Sequence, residues 1–167
     1  MNYLLDANTF IEAKNRYYSM TICPGYWQWI LDSNIKFGVS SIDFVKTELV
    51  AGNDDLSTWA KDHYHIFASI DDEETQLAFV DVVNHVMSLQ DMRPGTHEEF
   101  LRGADPWLIA KAIATKATIV THEKLDRKIK KKILIPNICE AFGVQYINTF
   151  ELLNELEACF VISPEAA

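Results

Sequence analysis

The residues of this chain with the clearest reason to do chemistry are acids placed at the ends of apolar runs or at the heads of helices. Asp6 follows the apolar stretch at 3–5, and Glu123 comes just after the β-branched run TIVT at 118–121. Asp105 sits near the start of GADPWLIAKAIATKA, and Glu48 lies within SSIDFVKTELV. An acid directly after a buried apolar run costs free energy unless something uses it. Carboxylates gathered in one crevice repel one another and stay ionised together only if cations join them. All-oxygen donors of this kind suit Mg2+ or Mn2+. One or two such ions polarise a phosphodiester, acidify an attacking water and steady the leaving oxygen.

Each acid also has an ordinary structural role to set against that chemistry. Asp6 could simply end a strand, Asp105 before Pro106 makes a good N-cap, Glu48 could be a solvated helix acid, and loops commonly carry residues such as Glu123.

The elements that must position these acids can be read from periodicity. Residues 3–5 predict a strand with a polar tip at Asp6 and Asn8, and a helix follows through TFIEAKNRYY. Trp27, Ile30 and Leu31 share one side of a further helix. IKFGVS predicts a second strand, after which Ser40 and Ser41 are N-cap candidates for SIDFVKTELV and Gly52 closes that helix. A short helix over 56–61 is capped by Asp54 or Asp55. The clearest helix spans 71–90, with Phe79, Val82, Val83, Val86 and Leu89 at three- and four-residue steps, and the RPGT turn ends it. Asp105 as N-cap and Pro106 at the first helical position open a helix that buries Trp107, Ala110, Ile113, Ala114 and Ala117. TIVT predicts a buried strand, 136–142 a short helix ended by Gly143, and VQYI a last strand. Asn148 and Glu151 form a capping box, and the tail ACFVISPEAA is irregular. Strands alternating with helices imply a parallel sheet covered on both faces, with the functional crevice beyond the C-terminal strand ends. Asp6 and Glu123 lie at two such ends.

Composition narrows the classes further. A chain of 167 residues suits one domain. The net charge of −9 argues against nucleic-acid binding through an overall basic surface. Charge is nevertheless uneven, because KLDRKIKKK at 124–132 holds six of the 15 basic residues and one acid. Lys124, Arg127, Lys128 and Lys130 in this strip are candidates for RNA phosphate contact. Cys23, Cys139 and Cys159 are scattered and odd in number, against both a disulfide framework and a thiolate zinc site. His63 and His65 alternate as strand residues do, with no neighbours to complete a zinc set. No basic leader and no membrane-length apolar run are visible, so a reduced, cytoplasmic location is the expectation.

Taken in order, YLLDANTFI, the Glu of SSIDFVKTEL, GADPWLIAKA and IVTHEK resemble the PIN-domain family, the nuclease fold of VapC-like bacterial toxins. ILIPNICEAFGV is similar to a subgroup of small bacterial PIN-like proteins. The resemblance runs from about Tyr3 to Leu156 and implies a three-layer α/β/α fold with a central parallel sheet. It implies one PIN-like nuclease domain over 1–157 and a tail over 158–167. It makes Asp6, Glu48 and Asp105 metal ligands and catalytic residues, with Glu123 as the fourth acid and Asn8 and Thr121 in support. The family places an Asp where this chain has Glu123, and Asp126 is the reserve. The implied activity is a Mg2+- or Mn2+-dependent endoribonuclease, the toxin of a toxin–antitoxin pair, homodimeric and restrained by a cognate antitoxin. Two alternatives stand beside it. One is a PIN-like module that binds RNA or protein without cleavage. The other is a haloacid-dehalogenase-type phosphatase, for which Asn8 stands where a second Asp is needed.

Overall fold

In the computed structural model, residues 2–161 are described. Five short strands, β1 (Tyr3–Leu5), β2 (Val39–Ile42), β3 (Phe67–Ala68), β4 (Thr118–Val120) and β5 (Tyr146–Ile147), form one sheet in the order β3-β2-β1-β4-β5. Every neighbouring pair is parallel, and Leu4 on β1 pairs with Ser40 on one side and Ile119 on the other. Leu4, Leu5, Val39, Ile42, Ile119 and Val120 are almost wholly buried, the pattern of a parallel sheet covered on both faces.

The helices are α1 (Ala7–Glu12), α2 (Pro24–Phe37), α3 (Asp43–Ala51), α4 (Asp55–Asp62), α5 (Glu73–Ser88), α6 (Thr96–Arg102), α7 (Asp105–Thr115), α8 (Ile135–Phe142) and α9 (Thr149–Glu155). The chain moves one way across the sheet from β1 to β3, then crosses to the far side of β1 for β4 and β5. Right-handed crossovers therefore place α1 to α4 on one face and α5 to α8 on the other. The packing of α3 on α4, and of α7 on α5 and α8, agrees with this. The architecture is the expected three-layer α/β/α.

Local chemistry explains most boundaries. Asp54 and Asp72 accept hydrogen bonds from the first turns of α4 and α5, and Asn148 with Glu151 completes the expected capping box of α9. Lys111, buried on α7, donates to Asp72 at 2.5 Å and ties α7 to the head of α5. Trp107 stacks flat on Phe79 with ring centroids 3.5 Å apart and fastens the same two helices.

Several expectations need correction. Residues Ile35 to Phe37 continue α2 instead of starting β2, and Ile35 is 84% exposed. Gly38, at a left-handed φ of 68°, ends that helix and turns the chain into β2. Ser40 and Ser41 lie within β2 and do not cap α3. Ser41 Oγ instead donates to the Leu5 carbonyl on β1 at 2.6 Å, and the N-cap of α3 is Ile42, without a side-chain bond. The N-cap of α7 is Ala104, so Asp105 is the first helical residue and its carboxylate is not used as a cap. The deepest residues of α7 are Leu108, Ile109, Ala110 and Ala112, with Trp107, Ile113 and Ala114 only half-buried. His63 and His65 stand in a turn and a 3-10 helix, not a strand. β3 and α6 have no counterpart in the sequence-based expectation. Of the expected tail, 158–161 is irregular as predicted and 162–167 lies outside the described residues.

Candidate functional site

Connections leave β1 and β4 toward opposite edges, and such a switch point opens a crevice beyond the C-terminal ends of the two strands. Asp6 is the first residue past β1 and Thr121 the first past β4. Thr121 Oγ1 donates to Asp6 Oδ2 at 3.0 Å, the Asn8 N–H approaches Oδ1 at 3.4 Å, and the Asp6 N–H donates to the Val120 carbonyl at 3.0 Å. A side chain 115 positions away in sequence thus fixes the orientation of this carboxylate.

A cleft of about 250 Å3 opens over Asp6, walled by Glu48 from α3, Glu99 from α6, Asp105 from α7 and Lys132 from the loop before α8. Glu48 reaches across with Oε1 to accept the Ala104 N–H at 2.9 Å, so the acid of α3 anchors the chain directly before Asp105. Asp6 is 1% exposed. Burial, assisted by the charges of Glu123 and Glu48, pushes its carboxyl up to about 6, despite the hydrogen bond from Thr121 that favours the ionised form. Asp105 is pushed up to about 8, first by burial, then by the negative charges of Asp6, Glu123 and Glu48, with Lys132 pulling the other way. The two acids are therefore held in one field of excess negative charge.

Glu123 lies close enough to act on both, yet its carboxylate is engaged elsewhere. One oxygen pairs with the Lys132 ammonium and the other accepts the Ile135 N–H at 2.8 Å, at the first turn of α8. Its own N–H donates to Thr121 Oγ1 at 3.1 Å. Asp126, the reserve, is exposed and bonds within its own loop to the Lys128 N–H. Asn8 lines the cleft. Lys124, Arg127, Lys128 and Lys130 are all exposed, and Arg127 pairs with Glu140.

Two residues of the site went unnoticed in the sequence. Glu99 belongs to α6, a helix that was not expected. Lys132 is one of six basic residues in a run, and only its pairing distinguishes it. Asp43, at the head of α3 and just beyond the end of β2, has a buried Oδ1 without a hydrogen-bond partner among the described residues. Asp43 does not line the cleft.

The donor set fits a hard divalent cation, being all oxygen and carrying more negative charge than its protein partners offset. Among the described residues, no three His, Cys, Asp or Glu side chains converge on one ligating point. The arrangement is therefore not a closed all-protein cage; an ion such as Mg2+ takes one or two carboxylates directly and fills its shell with water.

The five-stranded parallel sheet between helical layers is an α/β fold shared with chains of two VapBC structures. One chain of the VapBC2 structure from Rickettsia felis, bound to a DNA fragment from their promoter, is similar with a TM-score of 0.54 and 15% identity. The match covers 89% of this chain and 98% of that one. A chain of VapBC-1 from nontypeable Haemophilus influenzae is similar at a TM-score of 0.52 and 16% identity, over 89% and 98% of the two chains. No curated protein matches the chain. It belongs to the family described as Domain of unknown function (DUF4411), whose model matches residues 3–160.

Proposed function

We propose that this protein is a metal-dependent endoribonuclease, the toxin of a toxin–antitoxin pair. The observation that carries the proposal is the meeting of Asp6 and Asp105 at the switch point, each with its carboxyl pushed up by burial and by neighbouring acids. One or two of Asp6, Glu48 and Asp105 would hold Mg2+ or Mn2+ directly, with water between the ion and the rest. The ion, when bound, supplies positive charge to the phosphate oxygens and lowers the pKa of a nearby water. Thr121 and the Asn8 N–H keep the Asp6 carboxylate in one orientation. Glu48 keeps one oxygen on the Ala104 N–H, which steadies the entry to α7 and so the position of Asp105. Phosphodiester hydrolysis at such a site needs no covalent enzyme intermediate.

The likeness to chains from VapBC structures supports an antitoxin protein as partner. A homodimer and a cytoplasmic location belong to the same proposal, and light scattering and cell fractionation check them. No helix among the described residues is long and apolar enough to cross a membrane.

The test incubates the protein with labelled RNA and Mn2+ or Mg2+. Cleavage should vanish with EDTA and fall more than about 100-fold in Asp6→Asn. Metal-independent cleavage, or full activity in Asp6→Asn, would overturn the mechanism. A module that binds without cutting is favoured by one observation, the engagement of Glu123 with Lys132 and Ile135. RNA binding without cleavage, unchanged in Asp6→Asn, would establish that alternative.

A further inference from the structure

We propose that Lys132 is a built-in counter-ion of the acidic cleft, held there by Glu123, and that its charge limits the cleft to one divalent ion. This rests on the metal-site proposal above and adds a role that the fourth acid and the basic run did not suggest. Lys132 lines the same cleft as Asp6, Glu48 and Asp105. It is the only basic residue to do so among those described. Its ammonium bonds Glu123, whose side chain is 10% exposed against 54% for Lys132. The buried partner is thus the fixed one, pinned by the Ile135 N–H at 2.8 Å, and the lysine is the arm that it positions.

Electrostatics decides what such an arm does. A fixed positive charge among the acids offsets part of their repulsion and opposes the arrival of further cations. The acids facing the cleft can accept one divalent ion beside the ammonium. A second ion would meet both the first and Lys132. Glu123 is also withdrawn from ligation for as long as the pair persists. The cleft is therefore a site for one divalent ion plus a tethered monovalent one.

The test measures Mn2+ binding, by the paramagnetic resonance of free Mn2+ and by calorimetry, on the intact protein without RNA. The wild-type chain should bind one Mn2+. Lys132→Met keeps the stem and removes the charge. It should either admit a second Mn2+ or bind the first about tenfold more tightly. Lys132→Arg should bind as the wild type does. The double variant Lys132→Met/Glu123→Gln separates a removed charge from a freed ligand. The gain should persist in it, and a gain that disappears would show that release of Glu123, not removal of the ammonium, was responsible, and would overturn the counter-ion role. Unchanged stoichiometry and affinity in Lys132→Met, with RNA cleavage intact in the wild type, would overturn the role of Lys132 alone. Absence of Mn2+ binding in every chain would overturn the metal site along with it. Circular dichroism of each variant keeps misfolding apart from these outcomes.

Discussion

At the scale of single residues, Asp6 and Asp105 are the acids whose protonation responds most to the fold. Both bind their protons more tightly when folded, with carboxyls pushed up to about 6 and about 8. The stability that their protonated forms contribute is complete below the ordinary carboxyl range, near pH 4. It is lost as pH rises through those two values. Asp54 and Asp72 are held below the ordinary range by Lys14 and Lys111, so the stability they contribute is lost only at lower pH, outside this window. In EDTA, the denaturant midpoint should accordingly fall between pH 5 and pH 8, and Mn2+ should restore it at pH 8. Asp105→Asn should raise the stability of the metal-free protein at pH 8 by about 1–2 kcal/mol, even as it weakens Mn2+ binding. A midpoint that is flat with pH, or an Asp105→Asn chain less stable than its parent, would show that these acids do not crowd one another.

At the scale of elements, the pair between Lys111 and Asp72 does more than cap a helix. Asp72 accepts from the Thr75 N–H, the Thr75 hydroxyl and the Lys111 ammonium, so a single residue joins α5 to α7, the helix that carries Asp105. Asp72→Ala removes the cap and leaves a largely buried ammonium unpaired. Because the Asp72 side chain is 37% exposed, solvent screens part of the loss, and the expected cost is about 2–3 kcal/mol. Lys111→Met in the same chain should recover part of it. Chemical denaturation of the single and double variants measures both effects, and additive costs would mean that the pair is not coupled.

The sequence exposed those elements whose signals are local. α5 has a long apolar period and an acidic head, and the box at Asn148 and Glu151 lies within four residues. Asp6, Glu48 and Asp105 were visible because each stands in a motif whose order matches a known family. β3, with only Phe67 and Ala68, is too short to show alternation. In α6 only Thr96 and Phe100 are buried, one turn apart, so the stretch after the RPGT turn shows too little apolar period to mark a helix. The roles of Thr121 toward Asp6 and of Lys132 toward the cleft depend on where distant strands and loops meet, which periodicity does not contain.

At the scale of the whole molecule, charge separates into two regions. The acidic body surrounds the cleft, while the strip at 124–132 runs along the loop between β4 and α8. Arg127 and Lys132 are already paired with Glu140 and Glu123, whereas Lys124, Lys128 and Lys130 have no carboxylate partner among the described residues. RNA held by this strip should depend on salt through few contacts. Replacing those three lysines with Gln in an Asp6→Asn background should weaken RNA binding and flatten the slope of log Kd against log salt by about 2. An unchanged slope would place the RNA on another surface.

The order of strands in the sheet also has a consequence for how the protein is made. β1 pairs with β2 on one side, but its other neighbour is β4, more than a hundred residues later in the chain. Until β4 emerges, Asp6 lacks the hydroxyl of Thr121 and one edge of β1 stays open. A chain interrupted before β4 carries most of the cleft's lining residues but lacks the strand that orients Asp6. Any chemistry that needs an oriented Asp6 therefore waits on the docking of β4 beside β1.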